Sequence, residues 1–350
     1  MNENSENKRI SPYALAALLV MTRLFALSMY VPSRGENAAL TAVTGLVISL
    51  LKLPLMYGAA RLSAKAKRRP MIYGAMTAFA ALVFIAVCAD AFTDMLESLY
   101  PERMTKAAAA IVLILVCIYT ASMGIEGTAR TACIMLGALA AVMVPILFEM
   151  RGSMLTDRLD LFSPAPIAEC TRSAGQLLRY FFDPLIFAVL LPYAGGADAD
   201  KTTVSRAVKP YLIADGLITC VFFLMNAAVM GRFFGQSSYA FFTLSYNTHG
   251  SIIDRANGIF TCVSTIGAVL TLSALMLTAR DGIKLTGLAV TRGRGFGITA
   301  CAALAGVAFL AANGVKPAAS APAVSLVFAG FLIAGAAMTA LGGHERAKTA

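Results

Sequence analysis

Long apolar runs separated by short polar stretches set the pattern of this chain. A helix needs about 20 predominantly apolar residues to cross the hydrocarbon core of a bilayer. Ten runs approach that length: 11–32, 37–60, 71–92, 107–123, 131–148, 177–194, 211–230, 258–279, 296–312 and 323–341. Most of the connections are short, so successive helices run antiparallel. The two longest connections, 149–176 and 231–257, fall on the same side. The pattern therefore predicts an all-α membrane protein of about ten transmembrane helices. Lys8 and Arg9 before the first run resemble the start of a secretory signal. That run is longer than the roughly 7–15 apolar residues of a cleaved signal and reads as a retained first helix.

The sixth run breaks the pattern at Phe182-Asp183-Pro184. Proline lacks a backbone donor and clashes with the preceding turn, so a helix here is expected to break. A broken helix at membrane depth is tolerated where it is buried in protein or lines a polar cavity. An ionisable residue at that depth points to function. Asp-Pro also starts helices, with Asp as N-cap and Pro at the first helical position. A second half-helix would then begin at Pro184, its free N–H groups suited to an anion such as a substrate carboxylate.

Two sets of five helices form an inverted repeat, as in many secondary transporters. The expected division is 1–150 and 151–342, followed by a cytoplasmic tail at 343–350, all in one membrane domain. The end of the first run, through Arg23 to Pro32, aligns with the end of the sixth, through Asp183 to Pro192, at an offset of 160. Arg23 then stands opposite Asp183, one base and one acid at equivalent midplane positions. Arg23 with Leu24 and Phe25, and Tyr180, Phe182, Asp183 and Pro184 around the break, form the candidate ligand site. Arg23 either binds a substrate carboxylate or neutralises Asp183. Asp183 binds an amine or proton, caps its helix, or pairs with a base. The aromatic residues either line the site or pack.

Other charged positions carry blander readings. Glu126 and Arg130 are four apart and share a helical face, as a structural pair or a gate. Lys52 lies about two turns from the basic stretch 61–69 and is expected to snorkel toward it. Asp215, taken as one turn inside the seventh helix, is expected to face Lys209 at the interface. Asp90, Asp94 and Glu97 share a face where the third helix leaves the membrane. They form either an acidic vestibule or a solvated extension. The Gly- and Ala-rich ninth and tenth runs suit close helix packing.

Composition agrees with the membrane assignment. The chain is 58% hydrophobic and only 14% charged, against roughly 25% charged in soluble domains. Of its 29 Lys and Arg residues, 17 fall on the side that holds both termini and 9 on the other, which predicts cytoplasmic termini. The net charge of +10 is scattered and forms no nucleic-acid-binding patch. Seven cysteines without CxxC spacing and only two histidines, His249 and His344, give no disulfide framework or metal site. No phosphate-binding glycine motif is present, and no loop reaches about 30 residues, too little for a catalytic domain. The reading is of a protein that is not an enzyme and needs no cofactor, with its function between the helices.

At these residues the chain resembles the spore-germination permeases, the B-type subunits of nutrient germinant receptors in the amino acid–polyamine–organocation superfamily. The run Gly124-Ile-Glu126-Gly-Thr-Ala129-Arg130, the later Asp160-Leu-Phe-Ser-Pro164, and Phe182 to Tyr193 carry the resemblance. Ile10-Ser11, Pro32 and Arg255 also fit. The chain departs from the family in having no glycine near Arg23, no Asp-Trp after the first helix, and no tryptophan at all. The resemblance implies a LeuT-like fold with helices 1 and 6 discontinuous. It also implies a small-nutrient site between them, with an amino acid as the expected germinant. A- and C-type partner subunits in the inner spore membrane are implied too. The alternative is a proton- or cation-coupled amino acid transporter in the cell membrane.

Overall fold

The computed structural model describes residues 10–65, 70–100, 105–150, 152, 154, 167–195, 201–246, 256–287 and, in part, 297–308. The tenth predicted run, part of the ninth, the Asp160–Pro164 segment, Arg255 and the tail at 343–350 lie outside the described residues.

Among the described residues, ten α-helices follow one another as far as Leu285: α1 Pro12–Ser28, α2 Ala38–Lys65, α3 Pro70–Leu99, α4 Lys106–Ser122, α5 Gly124–Met150, α6 Ile167–Leu178, α7 Asp183–Gly195, α8 Lys201–Met230, α9 Ala240–Tyr246 and α10 Ala256–Leu285. Among the described residues, six stretches are long and apolar enough to cross a membrane, one of them running through α6 and α7. Leu50, Phe79, Leu115, Ile134 and Ile213 are exposed on the outward faces of α2, α3, α4, α5 and α8. In water such a belt would be costly, and in a bilayer it is the lipid-facing surface.

Local sequence explains the ends. Ser11 caps α1, its Oγ accepting the Ala14 N–H at 3.0 Å, and Pro12 occupies the first turn where a missing donor costs nothing. Gly124, at φ 85°, lets α4 turn into α5 through Met123 alone. Between α6 and α7 the chain leaves the helix at 179–182. The Phe182 carbonyl then accepts the N–H groups of Leu185 and Ile186 at 3.0 and 3.1 Å and so starts α7.

Two expectations about the half-helices are corrected. Helix 1 is not discontinuous: α1 runs unbroken from Pro12 to Ser28 through Arg23, as the lack of a glycine there allows. Asp183 does not cap α7: it is already helical, and its carboxylate turns sideways to other helices.

The helices pack as two groups. In one, α1, α2, α7 and α8 lie against one another; in the other, α3, α4 and α10 do. Small residues bring backbones together within each group. A methyl at Gly45 on α2 would sit 2.6 Å from Thr219 Cγ2 on α8. One at Gly74 on α3 would sit 2.5 Å from the Gly282 carbonyl on α10. The groups meet along α1 and α10, with the α6–α7 break beside α3.

Candidate functional site

Four charged side chains, one from each helix of the first group, meet in its interior. Arg23 (α1), Lys52 (α2), Asp183 (α7) and Asp215 (α8) are each at most 2% exposed. The Lys52 ammonium donates to Asp183 Oδ2 at 2.8 Å, Tyr211 Oη at 2.9 Å and Asp215 Oδ1 at 3.1 Å. All three of its protons therefore have acceptors. Arg23 Nε lies 2.8 Å from Asp215 Oδ1, and its Nε and Nη2 approach Thr219 Oγ1 at 3.2 and 3.1 Å. The second oxygen of Asp215 takes the Ser49 hydroxyl at 2.6 Å. Asp183 also accepts from Thr22 Oγ1 at 2.9 Å and from Tyr211 Oη at 2.7 Å. Two bases and two acids thus close a network by formal charge. A buried pair survives when its hydrogen bonds are completed in this way.

This arrangement revises three sequence expectations. Lys52 does not snorkel outward: its flexible stem carries the ammonium inward to two acids, between the rings of Phe181 and Tyr211 at 5.6 and 5.4 Å. Asp215 is not interfacial. Because α8 begins at Lys201, ten residues before the predicted start, Asp215 stands about four turns in and meets Arg23, Lys52 and Ser49. Arg23, expected opposite Asp183, takes Asp215 and Thr219 instead, while Lys52 takes Asp183. The repeat-derived pairing of positions therefore leads to one cluster with exchanged partners.

The other candidates separate clearly. Leu24 is half-buried, and Pro184 is buried at the start of α7. Phe25, Tyr180 and Phe182 are buried and take part in ring contacts. Phe25 lies 6.1 Å from Tyr180 and 6.5 Å from Phe92 of α3, and Phe182 lies 5.6 Å from Phe84 of α3. These rings form a seam between the two helix groups. Glu126 and Arg130 do pair, at 2.5 Å on the first turn of α5. Arg130 is 75% exposed there, so the pair is a surface feature apart from the cluster. Asp90 is buried and shares Lys106 with Asp94, at 2.5 Å each, while Glu97 is exposed. The third-helix acids are therefore neither a uniformly free vestibule nor a fully solvated face. No group of three potential metal ligands occurs among the described residues.

Both ends of the first group are tied. At the α1 start, the Ile10 N–H donates to the Tyr193 carbonyl at 3.0 Å. There the Tyr193 hydroxyl donates to Asp281, which also holds Arg280. At the other end, Glu36 is buried and accepts from the Tyr30, Thr41 and Ser173 hydroxyls and the Ser33 N–H. The 3-10 turn Gly231–Gln236 covers that end so closely that a methyl on Gly235 would come within 2.7 Å of the Gly35 and Glu36 nitrogens.

The fold has a counterpart among solved structures. The chain is similar to Mhp1, a nucleobase-cation-symport-1 family transporter, in a closed conformation with bromovinylhydantoin bound, with a TM-score of 0.58. The sequences are 14% identical over 96% of this chain and 78% of the transporter. The fold is LeuT-like, and the protein is an integral, multi-pass membrane protein. No protein-family model matches the chain, and no curated relative does.

Proposed function

We propose that the protein is a permease-like membrane subunit that binds a small nutrient at the seam between its two helix groups. One observation carries this reading. The four buried charges come one from each of α1, α2, α7 and α8, so those helices move as one body. The ring contacts of Phe25 and Phe182 with Phe92 and Phe84 lie where that body meets the other. A ligand at the seam that favours one arrangement over another shifts the balance between them, provided its affinity for the two differs. In this reading Arg23 and Asp183 clamp the body, and Phe25, Tyr180 and Phe182 face the ligand.

The finer assignment is to the germinant receptors of spores, with A- and C-type subunits as partners and both termini in the cytoplasm. Its support is the resemblance carried by Gly124 to Arg130 and Phe182 to Tyr193. Binding then signals to partner subunits and makes or breaks no bonds. The similarity to a symporter supports a second reading, a proton- or cation-coupled transporter.

A deletion strain assayed for germination across nutrients, beside solute uptake by the purified chain in liposomes, separates the two. Loss of one nutrient response without uptake supports the receptor. Uptake by the chain alone supports the transporter.

A further inference from the structure

We infer that the ligand is uncharged: a ring compound with hydrogen-bonding groups on its rim, in place of the zwitterionic amino acid the resemblance implies. The inference rests on the seam being the ligand site and narrows what fits there.

A free amino acid needs a seat for its carboxylate. In broken-helix transporters the usual seat is a half-helix N-terminus with unbonded N–H groups. Both half-helix features are curtailed here. α1 is unbroken through the midplane, so its backbone groups are spent on its own turns. In the first turn of α7, Pro184 has no N–H, and those of Leu185 and Ile186 already reach the Phe182 carbonyl. Asp183 adds its own negative charge at that terminus, where a second carboxylate would be repelled.

Side-chain cations are equally committed. Lys52 gives all three protons to Asp183, Asp215 and Tyr211, and Arg23 is paired with Asp215. Taking Lys52 for a ligand would cost Asp183 its cation, and taking Arg23 would leave Asp215 to Lys52 and Ser49 alone. At the α3–α4 end, Asp90 holds Lys106.

What the seam does offer is aromatic surface and two unused hydroxyls. Gly267 of α10 faces Phe25, whose Cβ a methyl there would meet at 3.2 Å. Ser264 and Thr271, three residues before and four after Gly267, lie on the same face of α10. Both are 0% exposed, and neither Ser264 Oγ nor Thr271 Oγ1 has a hydrogen-bond partner among the described residues. Buried hydroxyls are ordinarily satisfied. Two orphans on the face of α10 that meets Phe25, whose ring in turn touches Tyr180 and Phe92, mark where a ligand's polar rim would bond while its faces stack.

The test uses the full chain purified in detergent and measures thermal stabilisation by uracil, glucose, alanine and phenylalanine. Stabilisation by uracil or glucose, weakened about tenfold in affinity by Thr271→Val and retained in Thr271→Ser, is the expected result. It also distinguishes a planar heterocycle from a polyol. Stabilisation by alanine or phenylalanine alone overturns the inference and leaves the permease-like reading standing. Binding of none of the four also overturns the inference, and the permease-like reading is then decided by the germination and uptake assays.

Discussion

Lys52 on α2 and Asp183 at the start of α7 form a fully buried ion pair at 2.8 Å, although the two residues lie 131 apart in sequence. The pair joins the break in the sixth span to a helix of the first half. With Arg23 and Asp215 it makes the centre of the first helix group a closed set of charges. The consequence is mechanical, because a broken helix held by its neighbours cannot shift alone.

Removing one member strands another. Lys52→Met should destabilise the protein by about 3–5 kcal/mol, the usual cost of leaving a buried partner uncompensated. Chemical or thermal unfolding of the detergent-purified protein measures it. A loss below about 1 kcal/mol would mean that the pair is solvated.

Tyr211 tests the same cluster more gently. Its hydroxyl donates to Asp183 at 2.7 Å and accepts from Lys52 at 2.9 Å. Tyr211→Phe should cost about 1.5–3 kcal/mol, the range for hydrogen bonds to charged groups, with the helices still inserted. An unchanged unfolding midpoint would contradict the network.

Glu126 and Arg130 give the contrasting case. An exposed i, i+4 pair contributes about 0.3–0.5 kcal/mol. Arg130→Ala should therefore leave stability within about 0.5 kcal/mol of the native protein and leave nutrient response intact. A lost response with normal stability would restore the gate reading.

Topology is open to labelling. With cytoplasmic termini, an impermeant thiol reagent added outside should reach cysteines placed in 149–176 and miss those in 61–69. The reverse pattern would invert the orientation.

Much of the fold was legible because membrane spans announce themselves. A run of apolar residues has one physical outcome in lipid, and eight of the ten predicted runs correspond to α1 through α8 and α10. The break at Asp183 was legible too, although proline alone does not mark it. Pro54, Pro145 and Pro210 sit inside continuous helices. What marks Pro184 is its place beside an acid in the first turn of a new helix.

The partners were not legible. Lys52 and Asp215 carry the same signal as Arg23 and Asp183, an ionisable residue inside an apolar run. Each was instead referred to the nearest interface in sequence. For Asp215 the difference lies in the start of α8, because the polar stretch 201–210 before Tyr211 is helical. For Lys52 it came from weighing one side chain by itself, since a cation with acids in reach needs no route to water. Ser264 and Thr271 gave no sequence signal, because a hydroxyl in a helix ordinarily bonds back to its own backbone.

The central claim is that the four charges clamp a moving body and do not bind the ligand. The double variant Lys52→Met/Asp183→Asn tests it most directly, since it removes one base and one acid and leaves Arg23 with Asp215. Measured for nutrient response in the deletion strain and for unfolding in detergent, it should recover most of the stability lost in Lys52→Met and retain the response. A stable double variant with no response would contradict the claim and return Asp183 to the ligand site.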